Sequence, residues 1–109
     1  SIAIIDAGII RAYGSMDQLR DISGARDILT IRFEDSPADL LEPAIDSLQN
    51  SVISLNSGGI KVECDNVSKE ISDILEHFEE KGLKVSGFDA HAANLESVFL
   101  RLTGKNLRD

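Results

Sequence analysis

The stretch Ser51-Val-Ile-Ser-Leu-Asn-Ser-Gly-Gly-Ile-Lys-Val-Glu-Cys64 decides the fold. Ser51 to Leu55 and Ile60 to Cys64 alternate apolar and polar residues, the period of strands with one buried face. Asn56-Ser-Gly-Gly59 between them supplies residues that tolerate positive φ, so the two runs read as a hairpin. A hairpin with one apolar face needs a cover, and the flanking sequence offers two amphipathic helices. Upstream, Ser36 caps and Pro37 occupies the first helical position, and Leu40, Leu41, Ala44, Ile45 and Leu48 form a stripe. Downstream, Ser68 caps a helix that aligns Val67, Ile71, Ile74, Leu75 and Phe78, and Gly82 can end it.

Outside each helix lies one more alternating run. Leu29, Ile31 and Phe33 alternate with Ile28, Thr30 and Arg32, and residues 83–88 give a fourth strand. The order strand, helix, strand, strand, helix, strand over 28–88 predicts an α+β fold: a ferredoxin-like βαββαβ sandwich, a four-stranded antiparallel sheet with both helices on one face. The helix-facing residues are then Leu29, Ile31, Phe33, Ile53, Leu55, Ile60, Val62, Cys64, Leu83 and Val85. The opposite face presents Thr30, Arg32, Ser54, Lys61, Glu63, Lys84 and Ser86, with Phe88 at one end.

At the start, residues 2–5 and 9–13 read as two strands joined at Asp6-Ala7-Gly8. A lone two-stranded hairpin is marginal in water, and this one is too apolar for both faces to be wet. It belongs either to a larger sheet outside the sequence or to this unit's own sheet. Ser15-Met-Asp-Gln18 has the form of a capping box, and Met16, Leu19 and Ile22 share a face before Gly24. Ser23-Gly24-Ala25 marks the expected boundary between residues 1–24 and a unit spanning 25–109. At the other end Leu95, Val98, Phe99 and Leu102 recur at helical spacing. Asn94 can cap that helix, Gly104 can end it, and Arg101 and Lys105 suit its dipole. A helix this short is marginal alone and is expected to lie on the preceding residues.

Leu95-Glu-Ser-Val-Phe-Leu100, with Leu102-Thr-Gly-Lys105 and Leu107-Arg-Asp109, resembles the close of the ATP-binding subunits of ABC transporters in the drug and polysaccharide exporter branch. Ile2-Ala-Ile-Ile-Asp-Ala-Gly-Ile-Ile-Arg-Ala-Tyr-Gly14 resembles the strand–turn–strand that ends their nucleotide-binding domain, and Ser15 to Leu19 the short helix after it. The middle matches only in length and pattern. The resemblance implies that 1–24 is the tail of the nucleotide-binding domain and 25–109 a C-terminal accessory domain. That domain would support assembly of the ATPase subunits or coupling to membrane subunits. The implied partners are a second ATP-binding subunit in a homodimer and transmembrane permease subunits, at the cytoplasmic face of the cell membrane. ATP and magnesium would belong to the parent subunit and hydrolysis to its missing part. This chain carries no Gly-x-x-x-x-Gly-Lys-Ser/Thr loop.

Composition narrows the alternatives. With 11 Lys and Arg against 19 Asp and Glu the net charge is −8, which disfavours nucleic acid. The open sheet face also lacks the aromatics on which RNA bases stack. One cysteine, Cys64, excludes an internal disulfide or a Cys-x-x-Cys metal or redox motif and points to a reducing compartment. No apolar run approaches the roughly 18 residues of a membrane span, so direct insertion is not expected.

Chemistry-bearing residues are sparse. Asp89 and His91, followed by Glu96, could supply metal or acid–base groups, but they read more simply as a polar loop leading to a cap. His77 lies among Asp73, Glu76, Glu79 and Glu80 on a solvated helix face. Gly58-Gly59 is a turn and not a phosphate cradle, since no lysine follows in position. No catalytic, cofactor or metal residue is therefore assigned. A second class of function remains, a stand-alone regulatory domain that binds a small ligand between two protomers. The unpaired strands of the N-terminal hairpin are also expected to promote self-association.

Overall fold

The computed structural model describes residues 1–34, 38–56 and 58–104. In chain order its elements are β1 (Ile2–Asp6), β2 (Ile9–Gly14), α1 (Met16–Ser23), β3 (Asp27–Phe33), α2 (Ala38–Ser47), β4 (Val52–Asn56), β5 (Gly59–Cys64), α3 (Val67–Glu80), β6 (Val85–His91) and α4 (Leu95–Thr103). They fall into two compact units: Asp27–Ala92, and Ser1–Arg26 with Ala93–Asp109.

Asp27–Ala92 is the α+β unit that the central hairpin implies. Its four strands stand in the order β4-β5-β3-β6. Each neighbouring pair is antiparallel. This is the ferredoxin-like arrangement of a βαββαβ chain. Leu29, Ile31, Phe33, Ile60, Val62 and Cys64 face Leu41, Ala44, Ile74 and Phe78 from the helices, all buried in one cluster. Phe33 and Phe78 meet with ring centroids 5.4 Å apart and tilted by 58°, a favourable aromatic geometry.

Two bulges alter the expected faces. In β4, Val52 pairs with Val62 and Ser54 with Lys61, which leaves Ile53 as the extra residue. Val52 thereby turns toward the helices, while Ile53 is 51% exposed. Leu55 pairs with Ile60 but, on an edge strand, stays 57% exposed. Both were expected in the core. The last strand runs Val85–His91 and not over 83–88. Arg32 pairs with Gly87 and Phe33 with Val85, so Ser86 is the extra residue there. A bulge of one residue exchanges the faces of everything beyond it. Phe88 therefore sits beside Ile31, and Gly87, Asp89 and His91 take the open face.

The helix starts also differ in detail. The cap of α3 is Asn66, whose side chain accepts from the Lys69 N–H, rather than Ser68. The predicted cap Ser36 and Pro37 of α2, and Ser57 of the turn, lie outside the described residues. Pro43 stands inside α2. It gives up one intrahelical donor, a loss a short helix with an exposed face can bear.

The second unit joins both ends of the chain. β1 and β2 form their own two-stranded sheet and do not extend the larger one. Its two-residue turn has φ of 53° at Ala7 and 76° at Gly8, the positive pair that matches the twist of a tight hairpin. Ser15 and Gln18 complete the capping box of α1. Asn94 and Ser97 make another at α4. Val98 and Leu19 are both 0% exposed and share a core with Ile4, Ala12 and Ala25. Burying each such side chain is worth about 1.5–3 kcal/mol.

The closing helix thus completes the N-terminal unit and not the α+β unit, which moves the expected boundary. Residues 25–109 are not one compact body; the division falls after Arg26 and again before Ala93. The reason is local. Leu95 remains partly exposed while Val98, Phe99 and Leu102 pack on the inner face of the hairpin and on α1. Ile22, expected on the inner face of α1, is exposed instead. Lys105 to Asp109 of the closing motif lie outside the described residues.

Candidate functional site

The open face of the four-stranded sheet gathers most of the polar residues named from sequence. Strand pairing fixes its pattern. Along β3 the open-face residues are Ile28, Thr30 and Arg32. Thr30 is flanked by Lys61 on β5 and Asp89 on β6, and Ile28 by Glu63 and His91. Arg32 is flanked by Gly59 and Gly87. The glycines serve packing. A Cβ on Gly59 would stand 2.1 Å from the Ile31 carbonyl oxygen, and one on Gly87 would meet the Arg32 guanidinium at 2.8 Å. Arg32 lies over Gly87 and donates from Nη1 to Asp89 Oδ2 at 2.6 Å. Both side chains are about half exposed, so the pair orders the surface more than it stabilises the fold.

Asp89 and His91 are therefore strand residues and not a loop leading to a cap. Asp89 is engaged by Arg32, and His91 is exposed beside Ile28. Glu96, the third member of that group, is in the first turn of α4 in the other unit. Among the described residues no three His, Cys, Asp or Glu side chains gather to hold a metal ion.

On the helix side a groove of about 260 Å³ is lined by Ser47, Leu48, Gln49, Asn50, Asp73, Ile74 and His77. His77 is half-buried rather than freely solvated. Its Nε2 is 2.8 Å from the Ala44 carbonyl oxygen, so that nitrogen carries a proton and donates. Ala44 lies in the last turn of α2, whose carbonyls lack helical partners. His77 thus ties α3 to the end of α2.

The other end of α3 is held by a polar latch that sequence reading missed. Asp27 is 3% exposed and accepts from the Val67 N–H at 2.8 Å. Glu70 Oε2 accepts from the Asn66 N–H at 2.7 Å. Asn50 donates to Glu70 Oε1 at 2.9 Å and to the Glu63 carbonyl at 3.0 Å. These bonds hold the Glu70 carboxyl below its ordinary pKa, the Asn66 backbone N–H first and the Asn50 amide after it. The available signal was an acid at the head of an apolar strand, which is tolerated when a helix start supplies donors.

Cys64 is buried beneath this latch. Burial, with the nearby charges of Glu70, Asp27 and Asp65, pushes its thiol up to about 11. A thiol so placed stays protonated and packs as a small hydrophobe. The N–H groups of Gly58 and Gly59 both donate to Asn56 Oδ1 at 3.0 Å. Among the described residues of the turn, both glycine N–H groups are thus engaged within the turn itself. No protein-family model, curated protein or solved structure matches this chain.

Proposed function

We propose that the chain is the C-terminal part of an ATP-binding subunit of an ABC transporter of the drug and polysaccharide exporter branch. In this reading Asp27–Ala92 is an accessory, regulatory unit without catalysis of its own. It supports pairing of the two ATPase subunits or their coupling to the permease at the inner face of the membrane. One observation carries the reading. The segments that resemble such subunits, 2–19 and 95–104, are far apart in sequence yet share the core of Ile4, Ala12, Leu19 and Val98. An accessory unit inserted between two parts of a parent domain would leave the ends joined in this way.

ATP and magnesium would be bound by the parent. No helix among the described residues is long and apolar enough to cross a membrane, so contact with the bilayer would pass through the permease.

The test replaces residues 27–92 in the full-length subunit by a short glycine–serine linker. Basal ATP hydrolysis is expected to persist while assembly with the permease, or its stimulation of hydrolysis, falls. Unchanged assembly, regulation and transport would overturn the assignment, as would a parent sequence without a phosphate-binding loop.

The groove over Ile74, His77 and Asn50 favours a second reading, a regulatory domain for a small ligand. Thermal-shift screening of the chain against amino acids, nucleotides and organic cations tests it. Saturable stabilisation at one equivalent would support this reading, and a flat response across the screen would remove it.

A further inference from the structure

We infer that the open face of the four-stranded sheet pairs with the same face of a second copy, through a two-fold axis running along β3. The inference stands on strand register and charge, independently of the transporter reading.

Charge is unevenly spread over the chain. Residues 27–92 hold 5 Lys and Arg against 14 Asp and Glu, a net −9, and the remaining residues hold 6 against 5, a net +1. Within 27–92 the helices concentrate the acid: α2 and α3 carry eight carboxylates against Lys69. The open sheet face is balanced, with Arg32 and Lys61 against Asp89 and Glu63. Two such acidic units repel through most orientations. Sheet against sheet is the approach that places the helix layers outermost. With layers about 10 Å apart those carboxylates are roughly 30 Å from the partner's, several Debye lengths at physiological ionic strength.

The register makes the face self-complementary. A two-fold axis along β3 exchanges the positions of its neighbours β5 and β6. Lys61 then stands opposite Asp89 of the second copy, and Asp89 opposite its Lys61. Glu63 meets His91 at the next level, and both contacts occur twice by symmetry. Ile28 and Thr30 lie on the axis, where a half-buried apolar and a small polar side chain can meet their own copies. Arg32 also lies near the axis but leans sideways over Gly87 onto Asp89, which keeps the two guanidinium groups apart. The three strands that overlap about this axis, β5, β3 and β6, of about six residues each, span roughly 15 Å by 20 Å, or about 600 Å² from both copies together. That is well below the roughly 1,200 Å² of a stable specific interface, so the association is weak and reversible.

Sedimentation of the full chain at rising concentration and at low salt tests the pairing. A monomer–dimer equilibrium is expected, weakened at least about tenfold by Lys61→Glu or Asp89→Lys, because each places like charges opposite at two points. The double variant K61E/D89K binds at least about threefold more tightly than Lys61→Glu alone, since the opposed charges are exchanged together, and recovery stays incomplete because Arg32 loses the carboxylate that holds it aside. Circular dichroism confirms that each variant folds, and both positions are exposed. A monomer at every concentration would overturn the inference. So would association that ignores Lys61→Glu but is abolished by Ile10→Asp, which would place the contact on the N-terminal hairpin.

Discussion

Substitution of Asn50 by alanine probes the latch that fixes α3 on the sheet. The change removes two donated bonds, one to the Glu63 carbonyl and one to the Glu70 carboxylate. A neutral bond contributes about 1 kcal/mol and one to a charged group about 1.5–3. Asn50 and Glu70 are half-buried, so water replaces part of this, and the expected loss is about 2 kcal/mol at neutral pH. In a unit of Asp27–Ala92 that lowers Tm by roughly 8–16 °C. The pH dependence identifies the cause. Glu70 has a folded pKa below its ordinary value, so its contribution is complete above about pH 4.3 and is lost as pH falls through the lowered value. Asn50→Ala relaxes part of that lowering. The gap in Tm between the two proteins should therefore be widest near pH 7 and narrow as Glu70 becomes protonated in both. Calorimetry at pH 7, 5 and 3 reads this directly. A shift under 2 °C at pH 7, or a gap that stays constant down to pH 3, would refute the assignment of these bonds.

Three further outcomes follow from the geometry. Gly59→Ala drives a Cβ into the Ile31 carbonyl and should cost more than the roughly 1 kcal/mol expected for Gly8→Ala, where the turn has space; equal denaturation midpoints would contradict the close approach of β5 to β3. Leu19→Ala, in the core shared by the chain ends, should cost about 2–5 kcal/mol and strip amide-exchange protection from 95–103 together with 2–23. Protection lost from 2–23 alone would mean that α4 packs elsewhere. Cys64, pushed up to about 11, should react with a disulfide reagent at pH 8 on the order of a hundredfold more slowly in the folded chain than in denaturant. Comparable rates would show that the thiol is not buried.

The sequence by itself determined the order and kind of the elements, because those depend on neighbours a few residues apart. Period two along residues 60–64, the capping box at Ser15 and the helical stripe of α3 carry their own physical cause, and all recur in the structure. Tertiary structure decided what one-residue shifts and long-range packing control. The bulges at Ile53 and Ser86 leave no mark in composition, yet they turn Val52 inward and move Asp89 and His91 onto the open face. Asp27 reads as a surface acid until the start of α3 is brought against it. The helix of Val98 and Phe99 advertised an apolar face without naming its partner. Any apolar surface would satisfy such a stripe, and only the folded chain selects the inner face of the hairpin and α1 over the α+β unit that precedes the helix in sequence.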